Sequence, residues 1–125
     1  MRIAIAWFPA SEYEQALAAW PDLAEEWADS AHDGYCRRME SKMRDLTAHG
    51  ILISGVAPIL VDDYLAWCAE HDKDPGQGDS RASFAANLGR AGETIPWPPR
   101  RNAPCWCGSD LKYKLCCGSV PRAAP

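Results

Sequence analysis

From Arg2 to Phe8 the chain reads Arg-Ile-Ala-Ile-Ala-Trp-Phe, a short, nearly continuous apolar run that predicts a buried strand. Ser11 with Glu14 three residues on has the spacing of a capping box, and Tyr13, Ala16, Leu17 and Trp20 then recur at helical intervals. Proline belongs in a first turn and not in a helix interior, so Pro21 is expected to open a second short helix. Its apolar side would carry Leu23, Ala24 and Trp27, with Asp22, Glu25 and Glu26 in water. A third helix is predicted over His32 to Ala48. Tyr35, Met39, Met43 and Leu46 make its apolar side, Arg37, Arg38, Glu40, Lys42 and Arg44 its polar side, and Gly50 its stop.

Ile51 to Pro58 is a second strand candidate, followed from about Asp62 by a helix bearing Tyr64, Leu65, Trp67 and Cys68. The stretch from Asp72 to Asp79 is a loop. Beyond it Ser80 is placed to cap a last helix with Phe84, Ala85 and Leu88 inward. Two short strands among several helices define an α+β, mostly helical small domain over residues 1–90. Whether the strands run parallel or antiparallel stays open. Residues 91–100 contain Pro96, Pro98 and Pro99, which remove backbone donors and favour a stiff extended linker.

Composition adds limits. The chain has 125 residues, 47% hydrophobic and 24% charged, as in a globular protein. Of its six tryptophans, Trp7, Trp20, Trp27 and Trp67 lie in periodic segments and are assigned to the core, whereas Trp97 and Trp106 are assigned to an exposed or bridging role. No run reaches the roughly 18 to 20 apolar residues of a membrane span. The net charge of -4 is unevenly spread. Residues 1–95 hold 8 Lys and Arg against 16 Asp and Glu, while the remainder holds 5 against Asp110 alone.

The strongest chemistry is Cys105-x-Cys107 followed after eight residues by Cys116-Cys117. Two tight thiol pairs, joined by a segment long enough to fold back, match the four-ligand preference of a closed structural Zn2+ site. Metal in place of a disulfide framework points to a reducing, cytoplasmic setting. The run from Arg101 to Gly118, with Arg101-Asn102, Pro104, Gly108-Ser109 and Lys112-Tyr113-Lys114 around the cysteines, resembles the SEC-C motif. That is the small zinc-binding module at the C-terminus of the bacterial preprotein-translocating ATPase, also appended to otherwise unrelated proteins. The resemblance implies that Cys105, Cys107, Cys116 and Cys117 are zinc ligands in a non-catalytic module over 101–118. Residues 119–125 would then form a disordered tail.

Four positions depart from the usual motif. Trp106 stands in place of a common proline and Asp110 in place of a common glycine, the latter tolerable because Asp enters the left-handed region comparatively readily. Leu111 and Leu115 replace lysines. With Trp106 they either form an apolar docking edge or pack against the chain, and packing is the preferred expectation.

Cys36 and Cys68 read as small buried hydrophobes, His32, His49 and His71 as helix-end residues, and Asp62-Asp63 as helix-start acids. No nucleophile elbow, phosphate-binding glycine loop or metalloprotease helix appears. The expected function is therefore a non-enzymatic adaptor whose zinc knuckle docks a protein or ribonucleoprotein, the ribosome among the candidates. Arg100, Arg101, Trp106, Lys112, Tyr113 and Lys114 are its expected partner-binding residues. Two other readings are a nucleic-acid contact, with those cations on phosphates and Trp106 or Tyr113 stacking, and an enzyme whose site in the first domain leaves no motif.

Overall fold

The computed structural model describes residues 2–22 and 31–119. The helix expected from Pro21 through Trp27, beyond its first two residues, and all of the expected tail except Ser119 lie outside them. The elements are β1 (Arg2–Trp7), α1 (Ala10–Ala19), α2 (His32–Ala48), β2 (Leu52–Pro58), α3 (Val61–Glu70) and α4 (Gly78–Arg90), then single 3-10 turns at Tyr113–Leu115 and Cys117–Ser119. This is the α+β architecture expected, and its two strands are parallel. Arg2 and Ile3 stand opposite Leu52 and Ile53, and Ala4 to Trp7 opposite Gly55 to Pro58. Ser54 is the extra residue of the resulting bulge, and its hydroxyl donates to the Ile3 carbonyl at 3.0 Å. Parallel pairing needs a long crossover, which the segment containing α1 and α2 provides.

The core gathers Trp7, Phe8, Tyr13, Tyr35, Met39, Met43, Val56, Ile59, Tyr64 and Phe84 between the sheet and the helices. Tyr13 and Tyr35 stack with ring centroids 4.6 Å apart, and Trp20 lies partly buried against Phe8 and Tyr64. Helix starts differ from expectation. Pro9 precedes α1 with no side-chain cap, and Ser11 and Glu14 are exposed. Glu12 instead reaches across the fold, its Oε1 accepting the Val61 amide at 2.7 Å and so satisfying a free donor at the start of α3. Ser80 is not a cap either. It sits buried inside α4, which begins two residues earlier.

The expected linker is part of the packed body. Ile95 exchanges both backbone hydrogen bonds with Val56, at 2.7 and 2.8 Å, and extends the far edge of β2. Trp97 follows with its indole against α2, donating to Glu40. The proline-rich strut thus carries contacts over its first half, and delivers the cysteine segment onto α2.

Candidate metal centre

The segment after Pro99 folds back on itself. Tyr113 N–H bonds the Ala103 carbonyl, Cys105 N–H the Leu111 carbonyl and Lys114 N–H the Arg101 carbonyl, at 2.8 to 3.0 Å. This short antiparallel pairing sets the two cysteine pairs against each other. The turn between them needs left-handed backbone, at Gly108 (φ +81°) and at Asp110 (φ +67°), where Asp stands in for glycine as its residue type permits. Gly118 is required for a different reason, since a Cβ there would lie 2.5 Å from the Tyr113 carbonyl oxygen.

The sulfurs of Cys105, Cys107, Cys116 and Cys117 lie within 4.8 Å of one another. A tetrahedral site with bonds near 2.3 Å places its sulfurs about 3.8 Å apart, and Cys107 and Cys116 are separated by 3.5 Å. The donor set fits a thiophilic metal ion. Ser109 supports it, its hydroxyl donating to the Cys116 sulfur at 3.2 Å, a hydrogen bond of the kind that orients a ligating thiolate. The Cys107 thiol is pushed down. Hydrogen bonds from Cys105, and then from Cys117 and Cys36, hold its thiol far below the ordinary cysteine range. Cys105 is pushed up to about 11, chiefly by its bond to Cys107. Cys117 is driven up by its bond to Cys105 and then by that to Cys107.

Two residues of α2 that the sequence reading passed over belong to this centre. Cys36, assigned only to the core, is buried there with its sulfur 3.6 and 3.7 Å from the two ring nitrogens of His32, and the neighbouring Cys107 sulfur together with burial pushes its thiol up. Glu40, assigned to the polar side of the helix, is fully buried. Its Oε1 accepts from Trp97 Nε1 at 3.1 Å and Trp106 Nε1 at 2.9 Å. Its Oε2 accepts from Arg44 Nε at 2.8 Å and Tyr113 OH at 2.7 Å. Those four bonds fill the acceptor capacity of a carboxylate. Arg44 continues inward, donating to the carbonyls of Cys117 and Gly118 at 3.3 and 3.2 Å.

The expected partner-binding set therefore divides. Trp106 is 1% exposed and packs edge-on against Trp7 at 5.4 Å, so it anchors the knuckle to the body and presents no face to a partner. Tyr113 is likewise buried, its hydroxyl spent on Glu40. Both burials have one cause, the buried acceptor that draws these polar-tipped aromatics inward. Arg100, Arg101, Lys112 and Lys114 are all exposed, and Leu111 and Leu115 lie outside the core at 51% and 65% exposure. The packing expected of the apolar trio holds for Trp106 alone.

A small α+β body carrying a cysteine-tetrad knuckle on its second long helix is the class of protein these features define. The chain belongs to a family described as a domain of unknown function (DUF8829), matched over residues 13–100, and carries a SEC-C motif at residues 101–119. It is 50% identical over 54 residues to the protein translocase subunit SecA of Acinetobacter baumannii (strain AYE), which covers 41% of this chain and 6% of that protein. It is 40% identical over 55 residues to the same subunit of Geobacter metallireducens, covering 39% and 6%. The chain thus spans about 6% of the length of these relatives. No solved structure matches it. No helix among the described residues is long and apolar enough to cross a membrane.

Proposed function

We propose that this protein binds one Zn2+ through Cys105, Cys107, Cys116 and Cys117 and acts as a non-catalytic adaptor, docking a partner protein on the outer face of the zinc knuckle. The observation that carries the first half is the closeness of four sulfurs on a turn with a supporting Ser109 hydroxyl. Four thiolates leave a zinc ion no open position, which is the arrangement of a structural and not a catalytic site. Zinc here would fix the turn, and the turn fixes what the knuckle displays.

For the second half, the support is the division of the knuckle into an anchored and a displayed side. Trp106 and Tyr113 hold it to α2, while Leu111, Lys112, Lys114 and Leu115 point to solvent with Arg100 and Arg101 beside them. Exposed leucines interleaved with cations suit a partner with an apolar, acidic surface. The relatives matched are subunits of a protein translocase, which favours a protein as partner. Burial of both aromatics removes the stacking platform that a single-stranded nucleic acid would need, so that reading is the weaker. The test pairs metal content with crosslinking. Protein purified without added metal should hold close to one zinc, and photocrosslinkers at Leu111 and Leu115 should capture one protein that Cys107→Ser loses. Zinc below about half an equivalent would overturn the metal half. Crosslinks unaffected by Cys107→Ser would overturn the docking half.

A further inference from the structure

The outer edge of β1 opens into a cleft of about 740 Å³ between α2 and α4. Trp7 turns its carbonyl toward β2, where it accepts the Ile59 amide at 2.8 Å. Backbone direction alternates along a strand, so Ile5 also faces β2, whereas Ala4, Ala6 and Phe8 direct N–H and C=O away from it. At Phe8 that outward pair is occupied by α2: its amide donates to Tyr35 OH at 3.1 Å and its carbonyl faces His32 Nε2 at 2.9 Å. At Ala4 and Ala6 the outward groups face the cleft, and β1 has β2 as its one strand neighbour among the described residues.

The cleft has room for a chain. On its α4 wall Gly78, Ala82 and Ala86 present nothing beyond a Cβ, which leaves space beside β1, while Gly89 closes on the Ala4 Cβ. Among the described residues that line the cleft, the charged ones are Arg2, Lys42, Arg81 and Arg90, in a domain whose overall balance is acidic. Lys42 and Arg81 already have partners within the chain, whereas Arg2 and Arg90 are exposed at its rim. We propose that an acidic, extended segment of a partner protein docks here as a third strand along β1, its backbone pairing with Ala4 and Ala6 and its carboxylates meeting Arg2 and Arg90. Strand addition takes affinity from main-chain bonds and specificity from alternate side chains, and the cationic lining selects the acidic occupant. A second copy of this chain is disfavoured, because edge-to-edge pairing would bring two cationic linings together. This site lies on the body and does not depend on zinc or on the knuckle's outer face.

The test uses the full-length, metal-loaded protein and a ten-residue synthetic peptide alternating valine and glutamate, followed by amide NMR. Binding should shift the Ala4 and Ala6 amide resonances and slow their hydrogen exchange. The same peptide with lysine for glutamate, or N-methylated at alternate residues, should not do so. Arg2→Glu combined with Arg90→Glu, both exposed positions, should weaken binding about tenfold or more while the remaining spectrum keeps its native dispersion. Equal binding of the lysine and glutamate peptides, or shifts confined to the knuckle, would overturn the proposal. So would a concentration-dependent dimer protecting Ala4 and Ala6 without peptide, which would give the edge to self-pairing. No binding of the glutamate peptide at millimolar concentration would leave Arg2 and Arg90 as charges that guard an edge against pairing, and would also overturn it.

Discussion

Trp106 Nε1 donates to Glu40 Oε1 at 2.9 Å across 66 residues of sequence, with both side chains out of contact with water. Through this bond the residue between two candidate metal ligands is tied to the middle of the longest described helix. The carboxylate is shared with Trp97, Tyr113 and Arg44, so body, proline-rich segment and knuckle converge on one side chain.

Replacing Glu40 should therefore be among the most damaging single changes. Glu40→Ala would leave two indole N–H groups, a phenol and the Arg44 guanidinium without their acceptor. Removing one partner of a buried ion pair costs about 3–5 kcal/mol. Glu40→Gln retains one acceptor oxygen and should cost less, about 1–3 kcal/mol. Urea unfolding checks both, with exposed Glu70→Gln as the silent control. Equal stability of Glu40→Ala and the parent would remove the carboxylate from its assigned place.

How much of this was legible depended on how local each relationship is. The cysteine tetrad was visible because its pairs are separated by one residue and none, and the left-handed Asp110 because residue type and position agree. The span of α2 followed from its apolar period, and its start and end match the structure. Glu40 was misplaced because that same period puts it beside charged neighbours, while its aromatic partners lie 57 to 73 residues away. A hint did exist: Trp97, Trp106 and Tyr113 all carry polar tips needing partners, in a tail where Asp110 is the one carboxylate. The Glu12 cap on α3 was invisible for the same reason, since it joins residues 49 apart. Pairing of Ile95 with Val56 was masked by neighbouring prolines, which signal an extended chain but not what that chain lies against.

Metal removal should be felt beyond the knuckle. The prolines mark a linker in the sequence, yet Cys105, Trp106, Tyr113 and Cys117 belong to the same buried cluster as Trp7, Tyr35 and Met43. Any ligand that binds only the folded state stabilises the whole unit it is packed into. A zinc chelator should lower the melting temperature of the helical signal by several degrees or more, in one transition, and alter near-ultraviolet dichroism from the Trp7–Trp106 pair. An unchanged melt of the body after complete zinc loss would show the two parts to be independent.

Alkaline pH should unfold the protein through its tyrosines. Burial pushes the phenols of Tyr35, Tyr64 and Tyr113 above the ordinary range, with the bond to Glu40 adding to the effect at Tyr113. Each folded-state value is raised, so above the unfolded value near 10 the unfolded chain releases protons that the native state keeps. Their stabilising contribution is fully present below about pH 10 and declines as pH rises toward the folded values. Tyrosinate absorbance at about pH 11 should report these three as still protonated in native protein, then rise together with loss of helical signal. Ionisation of Tyr35, Tyr64 and Tyr113 near pH 10 in a still-folded protein would contradict their raised values.

Gly118→Ala tests whether the close approach at the end of the knuckle holds the candidate metal ligands in place. The added Cβ would lie 2.5 Å from the Tyr113 carbonyl oxygen and 2.9 Å from its carbonyl carbon, and both are backbone atoms unable to swing aside. Relief requires moving the turn that carries Cys116 and Cys117, whose carbonyls at 117 and 118 are also held by Arg44. Overpacking of this kind costs about 1–3 kcal/mol. Because the displaced atoms belong to the ligand turn, much of that cost should appear as weaker metal binding, about tenfold where 1.4 kcal/mol is transmitted. Competition against a chromophoric chelator measures it directly. Gly89→Ala is the comparison, since its Cβ would meet Ala4 Cβ at an ordinary 3.7 Å on α4, away from the cysteines. It should leave metal affinity unchanged. A Gly118→Ala variant that competes for zinc as well as the parent would mean the ligand turn accommodates the methyl group, and that Arg44 and Glu40 alone fix its position.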